Sequence, residues 1–184
     1  MALDQASMEV TGLRVRRAMA PVRRTLATRV GTFTQGPFLL LDLELKGGGV
    51  GHALCFTFIP LGLKVIPILL EELMSVVKGR AITPATLETV HDDCQKKLTH
   101  LGHEGAAMMA LSMLDMALYD AMARTAGVPL YKMLGGTSTA LPTYNSCGLG
   151  LMPPDAVARE ARELAAEHGG RSHDDTHSLR RELA

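Results

Sequence analysis

Asp115 and Asp120 stand in an otherwise apolar run, and a pair of carboxylates is ordinary equipment for acid–base chemistry. Their spacing argues against that use. Residues five apart do not share a helix face, and a buried carboxylate needs hydrogen-bond partners whether or not it is catalytic. The two are therefore expected to be structural, capping or tying this domain to the one that follows through hydrogen bonds. His173 and His177, with Asp174 and Asp175 between them, have the one-turn spacing of Zn²⁺ or Ni²⁺ ligands. Only His168 lies near them, and a solvated tail is the plainer reading. His91 with Cys94, and His100 with His103, are scattered pairs expected to pack or to face solvent. Gly47-Gly48-Gly49 is short and lacks the Lys-Ser/Thr that completes a phosphate loop. The residue pattern alone thus nominates no catalytic group and no metal set.

Composition narrows the field further. The 184 residues carry 19 Lys+Arg against 19 Asp+Glu, a balance that argues against a nucleic-acid binder held by bulk charge. Apolar residues make up 47%, enough to bury a core and to exclude a disordered chain. With four Phe, three Tyr, no Trp and 11 Met, that core must be aliphatic and in large part helical. Three cysteines, Cys55, Cys94 and Cys147, are an odd number without CxxC spacing, which points to a reducing cytoplasm rather than a disulfide scaffold. Asp4 and Glu9 near the start leave no room for a signal peptide's basic region. The apolar stretch from Ala53 to Leu70 holds Pro60, Gly62, Lys64 and Pro67 and runs into Glu71-Glu72, so a spanning helix would place charge in hydrocarbon. A soluble protein is expected.

The elements that must position these residues follow from periodicity. Met8 to Ala18 reads as a strand with a basic outer face. Pro21 to Pro37 shows little periodicity and reads as a long loop, a feature that is usually functional. Phe38 to Leu45 and Val50 to Phe58 flank the glycine cluster as a hairpin. Leu63, Ile66, Leu70, Leu73 and Val77 line one face of a helix stopped by Gly79. Thr83-Pro84 caps a helix running to about Thr99. Glu104 to Ala126 is apolar nearly all round and must be buried on several sides; Gly127-Val128-Pro129 ends it. Leu141 to Cys147 reads as a short strand, and Pro153-Pro154-Asp155 opens a helix ending at His168. No internal repeat is visible. Three antiparallel strands against a helical bundle make an α+β domain.

Several of these stretches carry a resemblance. Thr11-Gly12-Leu13-Arg14, Gly51-His52 behind the glycine hairpin, Asp115-Met116-Ala117-Leu118-Tyr119-Asp120, and the run from Gly127 to Gly136 together resemble the mandelate racemase / muconate lactonizing enzyme family of the enolase superfamily, in its N-terminal portion only. The likeness covers about residues 8 to 170. It implies an enolase-type capping domain over residues 1–140, then the first strand and helix of an incomplete (β/α) barrel over 141–170, then a divergent, disordered tail over 171–184. In full-length relatives Mg²⁺ on three carboxylates, with Lys and His bases, removes the proton α to the carboxylate of a small-molecule 2-hydroxy acid, by racemisation or dehydration.

The same resemblance assigns a substrate lid to Pro21–Pro37, with Leu26, Val30 and Phe33 as apolar substrate neighbours, and a second lid segment to His52–Phe58, whose Phe56 and Phe58 either face the pocket or pack under the cap. Tyr144 and Ser146 would end the first barrel strand, where such barrels gather their chemistry. The Lys-x-Lys pair expected after Gly170 is replaced by Arg171-Ser172-His173-Asp174-Asp175, and no lysine follows Lys132. This abrupt change points to a truncated or frame-shifted reading frame. The chain alone is then expected to lack activity and to need no cofactor of its own. An interaction module is the alternative, since an unpaired barrel strand invites oligomerisation or aggregation. No nucleic-acid or membrane partner is expected.

Overall fold

A computed structural model of the chain describes residues 6–29, 31–137 and 148–168. Two compact units are present: residues 1–20 with 36–137, and residues 21–35 with 138–184.

The first unit is built on an antiparallel sheet of order β3-β2-β1-β4, where β1 is Met8–Thr28, β2 Gly31–Leu45, β3 Val50–Phe56 and β4 Ala81–Ile82. The sheet has four strands, not the expected three. The extra one is two residues long, too short to show a period, and pairs as Met8↔Ile82 and Glu9↔Ala81. The β2–β3 hairpin is as expected from the glycine cluster, in register from Phe38↔Phe56 to Glu44↔Val50. Gly47 and Gly48 close it with φ of +90° and +91°, which a side chain would resist. Leu39, Leu41, Leu43 and Leu45 alternate into the core, the period-two signature of a half-buried strand.

Three helices cover that face: α1 (Gly62–Val77), α2 (Leu87–Lys97) and α3 (Gly105–Ala126). The helix expected from Thr83 starts with a 3₁₀ turn over Pro84–Thr86, closed by reciprocal Thr83 and Thr86 side chains, before α2 proper. α3 packs on β3, α1 and α2 together, which is why it carries so little polar surface. It is long and apolar enough to cross a membrane, but 56% of its most apolar window is buried inside the protein, as befits a core helix. Gly127 ends it at φ +67°, and the Val128 N–H reaches back to the Ala123 carbonyl at 3.0 Å. A short helix the sequence pattern hid, α4 (Leu130–Met133), follows.

The second unit corrects the expected loop. Pro21 to Pro37 is strand for most of its length: β1 continues to Thr28 and β2 begins at Gly31. A ribbon wetted on both sides has no apolar alternation to betray it; ladder hydrogen bonds, rather than a buried face, hold it together. Within this unit the ribbon meets α5 (Pro154–His168). The Leu151 N–H donates to the Ala27 carbonyl at 2.7 Å, and Arg24 bonds Glu167 at 2.6 Å and lies 3.4 Å from Glu160. The expected strand 141–147 and the tail 171–184 fall outside the described residues.

Candidate functional site

The densest polar chemistry of the first unit gathers where α3 crosses β3. Gly51 permits the crossing: a Cβ there would overlap the Ala117 carbonyl oxygen and lie 2.6 Å from the Ala121 methyl. One residue on, the His52 backbone N–H points out of the sheet edge and donates to Asp120 Oδ2 at 2.8 Å, and the Arg124 Nε donates to the same oxygen at 2.7 Å. Asp120 thus takes the place of a neighbouring strand's carbonyl and stitches the helix to the edge.

The His52 ring lies on Asp42, its cross-strand partner, with Nδ1 3.0 Å from Oδ1. Arg16 reaches the same carboxylate from β1, at 3.0 and 2.9 Å to its two oxygens. Burial works to raise the Asp42 carboxyl, but the His52 hydrogen bond and the Arg16 guanidinium outweigh it and hold the group below the ordinary carboxylate range. On the far side of α3, Asp115 Oδ1 lies 3.1 Å from His91 Nδ1. Burial, with Asp115 and Glu88 adding to it, pushes the Tyr119 phenol above its usual value.

These residues border a hollow of about 580 Å³, lined by His52, Asp115, Tyr119 and Asp120 and walled by Leu54, Met116, Leu130 and Leu134. Asp115 and Asp120, expected to share no face, both reach it. Five residues turn a helix through about 140°, and an opening broad enough to span that arc touches both. Each is engaged as the sequence led one to expect of structural carboxylates. Their partners are the hairpin and α2, within the first unit. Among the described residues no three His, Cys, Asp or Glu side chains come together to hold a metal ion, so the donors present do not fit Mg²⁺. The hollow is shaped to receive apolar surface, with each of its carboxylates already bonded to a neighbour.

The residues expected to form a lid fall as follows. Leu26 lies exposed on β1 and Phe33 half-buried on β2, both in the second unit; Phe56 lies on β3 in the first. Phe56 sits in an aromatic row, its ring centroid 5.2 Å from Phe38 and 4.6 Å from Phe58. Phe58 is exposed and held at φ +59°, a left-handed conformation that a bulky side chain rarely adopts. Val30, Tyr144 and Ser146 lie outside the described residues, as do His173 and His177. Cys94 is buried beside Asp93 and Asp115, and its thiol is pushed up to about 11 chiefly by burial, which makes it unreactive. Sequence reasoning passed over the Arg16–Asp42–His52 cluster. The signal was available, because a hairpin closed over 46–49 sets position 42 opposite position 52.

Comparison with known proteins agrees with this geometry. Residues 8–135 match the N-terminal domain of the mandelate racemase / muconate lactonizing enzyme family. A hydrophobic dipeptide epimerase of Roseobacter litoralis is 42% identical over 84 residues, 46% of this chain and 22% of that protein. Among solved structures, an enolase from alpha proteobacterium bal199 with bound magnesium is 33% identical with a TM-score of 0.81, covering 91% of this chain and 45% of that one. An enolase from Bradyrhizobium complexed with magnesium and mandelic acid is 31% identical with a TM-score of 0.76, covering 90% and 44%. The chain therefore spans less than half the length of these relatives. With its sheet, its buried α3 and its match over 8–135, the chain belongs to the mandelate racemase / muconate lactonizing enzyme family of the enolase superfamily.

Proposed function

We propose that this chain is the substrate-gating part of a Mg²⁺-dependent enzyme that removes the proton α to a carboxylate, and that it performs no such reaction alone. The observation that carries the reading is the ribbon of residues 21–35. It hydrogen-bonds through Ala27 and Arg24 onto the segment 148–168, which we read as the start of the barrel. A lid anchored there can hold Leu26, Val30 and Phe33 over a substrate's apolar group. Mandelic acid in the Bradyrhizobium relative has such a group beside its acidic carbon, and so do the substrates that give the dipeptide epimerases their name. A 2-hydroxy acid is the substrate class we favour, turned over by racemisation or dehydration.

Residues 1–140 would form the cap, 141–170 the opening of the barrel with Tyr144 and Ser146 at its mouth, and 171–184 a tail. Loss of one essential catalytic group costs on the order of 10⁴-fold in rate, and the 184 residues carry no Lys-x-Lys pair after Lys132. The free thiols Cys55 and Cys94 support a cytoplasmic location.

Two experiments test this. The purified chain with Mg²⁺ and a panel of 2-hydroxy acids in D₂O should show no deuterium at the α position by NMR; exchange above buffer refutes the inactive reading. A chimera carrying residues 8–137 in place of the corresponding part of the Bradyrhizobium enzyme should turn over mandelate, and Leu26→Asp in it should raise KM well before it lowers kcat. An unchanged KM would remove Leu26 from the lid.

A further inference from the structure

α1 presents two faces of opposite character. Leu63, Ile66, Leu70, Leu73 and Val77 are buried in the core. The outward face carries Leu61 and Ile68, 59% and 61% exposed, where a solvated helix would carry polar groups. Seven residues separate them, so they stand one above the other two turns apart. Lys64 and Glu71 flank Ile68 on the same side of this stripe and are exposed. Neither has an ion-pair partner among the described residues, whereas neighbouring Glu72 has Lys97 at 3.6 Å.

We propose that this face of α1 is the interface with a second copy of the chain, the two helices antiparallel about a two-fold axis at Ile68. The charge pattern selects that occupant. With a rise of 1.5 Å per residue, Lys64 lies about 6 Å before the axis and Glu71 about 4.5 Å beyond it, on the same flank. The rotation therefore sets Lys64 of each copy beside Glu71 of the other, twice, and brings Ile68 onto its own counterpart. An isologous contact requires this kind of self-complementarity. A second exposed apolar surface, the hollow beside α3, is lined by Asp115 and Asp120, and two copies meeting there would set like charges together.

Sedimentation equilibrium of the full chain tests the proposal. A concentration-dependent dimer is expected. Ile68→Glu should abolish it with far-UV circular dichroism unchanged. Lys64→Glu should weaken it about 10-fold, and Lys64→Glu with Glu71→Lys should restore it. A cysteine test is independent of affinity: Ile68→Cys should cross-link to its own copy under mild oxidation above the wild-type background, and Ser75→Cys, about 10 Å from the axis, should not. A chain that stays monomeric, a dimer indifferent to the charge swap, or equal cross-linking from positions 68 and 75 overturns the interface.

Discussion

The first unit is held by burial and the second by charge. In the first, Val10, Leu39, Leu43, Ile66, Leu70, Leu73, Met113 and Met122 are all excluded from solvent, drawn from sheet and helices alike. Among the described residues of the second, only Leu164 is buried, and what joins ribbon to helix is a short backbone bond and Arg24 set among Glu160, Glu163 and Glu167. Burial of aliphatic surface tolerates changes of salt and pH; ion pairs that reach solvent, as those of Arg24 do through Glu163 and Glu167, are screened and individually weak. The substrate lid we propose for residues 21–35 would be better built the second way, because elements that move come from the low-stability end of a structure.

The largest expected effect belongs to the tightest approach in the first unit. Gly51→Val would drive a side chain into the Ala117 carbonyl and the Ala121 methyl, and α3 would have to withdraw from β3. A loss of more than about 3 kcal/mol is expected from urea unfolding. If stability barely changes, α3 is not packed on β3 as closely as the comparison assumes.

A matched pair of truncations measures the contrast directly. Leu41 and Leu164 are 1% and 2% exposed, nearly the same by that measure. Leu41→Ala leaves a cavity that surrounding strands and helices cannot close, at about 3 kcal/mol. Leu164→Ala leaves one beneath a helix with few other buried neighbours, which can collapse, and should cost under about 2 kcal/mol. Equal costs would mean the second unit has a core of its own. Hydrogen exchange should place the Leu164→Ala effect in 154–168 alone.

Legibility in the sequence divided along the same line. Every long element with one face in the core announced itself: β2 by alternation at Leu39, Leu41 and Leu43, α1 by its 3–4 spacing, α3 by the lack of a polar face, and the turn at Gly47–Gly48 by its glycines. What stayed hidden has no buried face or, like β4 with its buried Ile82, is too short to show a period. The ribbon through Arg23, Leu26 and Phe33 looked like loop, β4 is two residues long, and α4 is a single turn. The site was half legible. Asp120 could be read as a carboxylate that needed partners, but which donors it meets depends on the β3 edge and on Gly51 bringing α3 close, and neither follows from spacing along one helix.

Asp120→Ala is a smaller effect than either truncation. It leaves the His52 N–H without its acceptor and frees Arg124, which is exposed and can turn to water. An unmet backbone donor at a partly covered edge costs about 1–2 kcal/mol, and thermal melts should show it. Arg124→Ala, which keeps the acceptor in place, should cost less than about 0.5 kcal/mol. The reverse order would mean that the ion pair, not the edge bond, holds helix to strand.

Acid should weaken the first unit by a route that aliphatic burial cannot buffer. The Asp42 carboxyl is held below its ordinary value, so above about pH 5 it is ionised in folded and unfolded chains alike and its full contribution is present. As pH falls, the unfolded chain takes up its proton first, near pH 3.9, and the contribution is lost progressively until the folded value is passed. Asp42→Asn removes that difference, so its melting temperature should fall less between pH 6 and pH 3 than the wild type's, by roughly 2 °C. The margin is small because burial of Asp42 opposes the help it receives from His52 and Arg16. Parallel acid limbs for the two proteins would show that the Arg16–Asp42–His52 cluster is too well solvated to be linked to folding, and would leave the hydrophobic face of the sheet as the whole of the first unit's advantage.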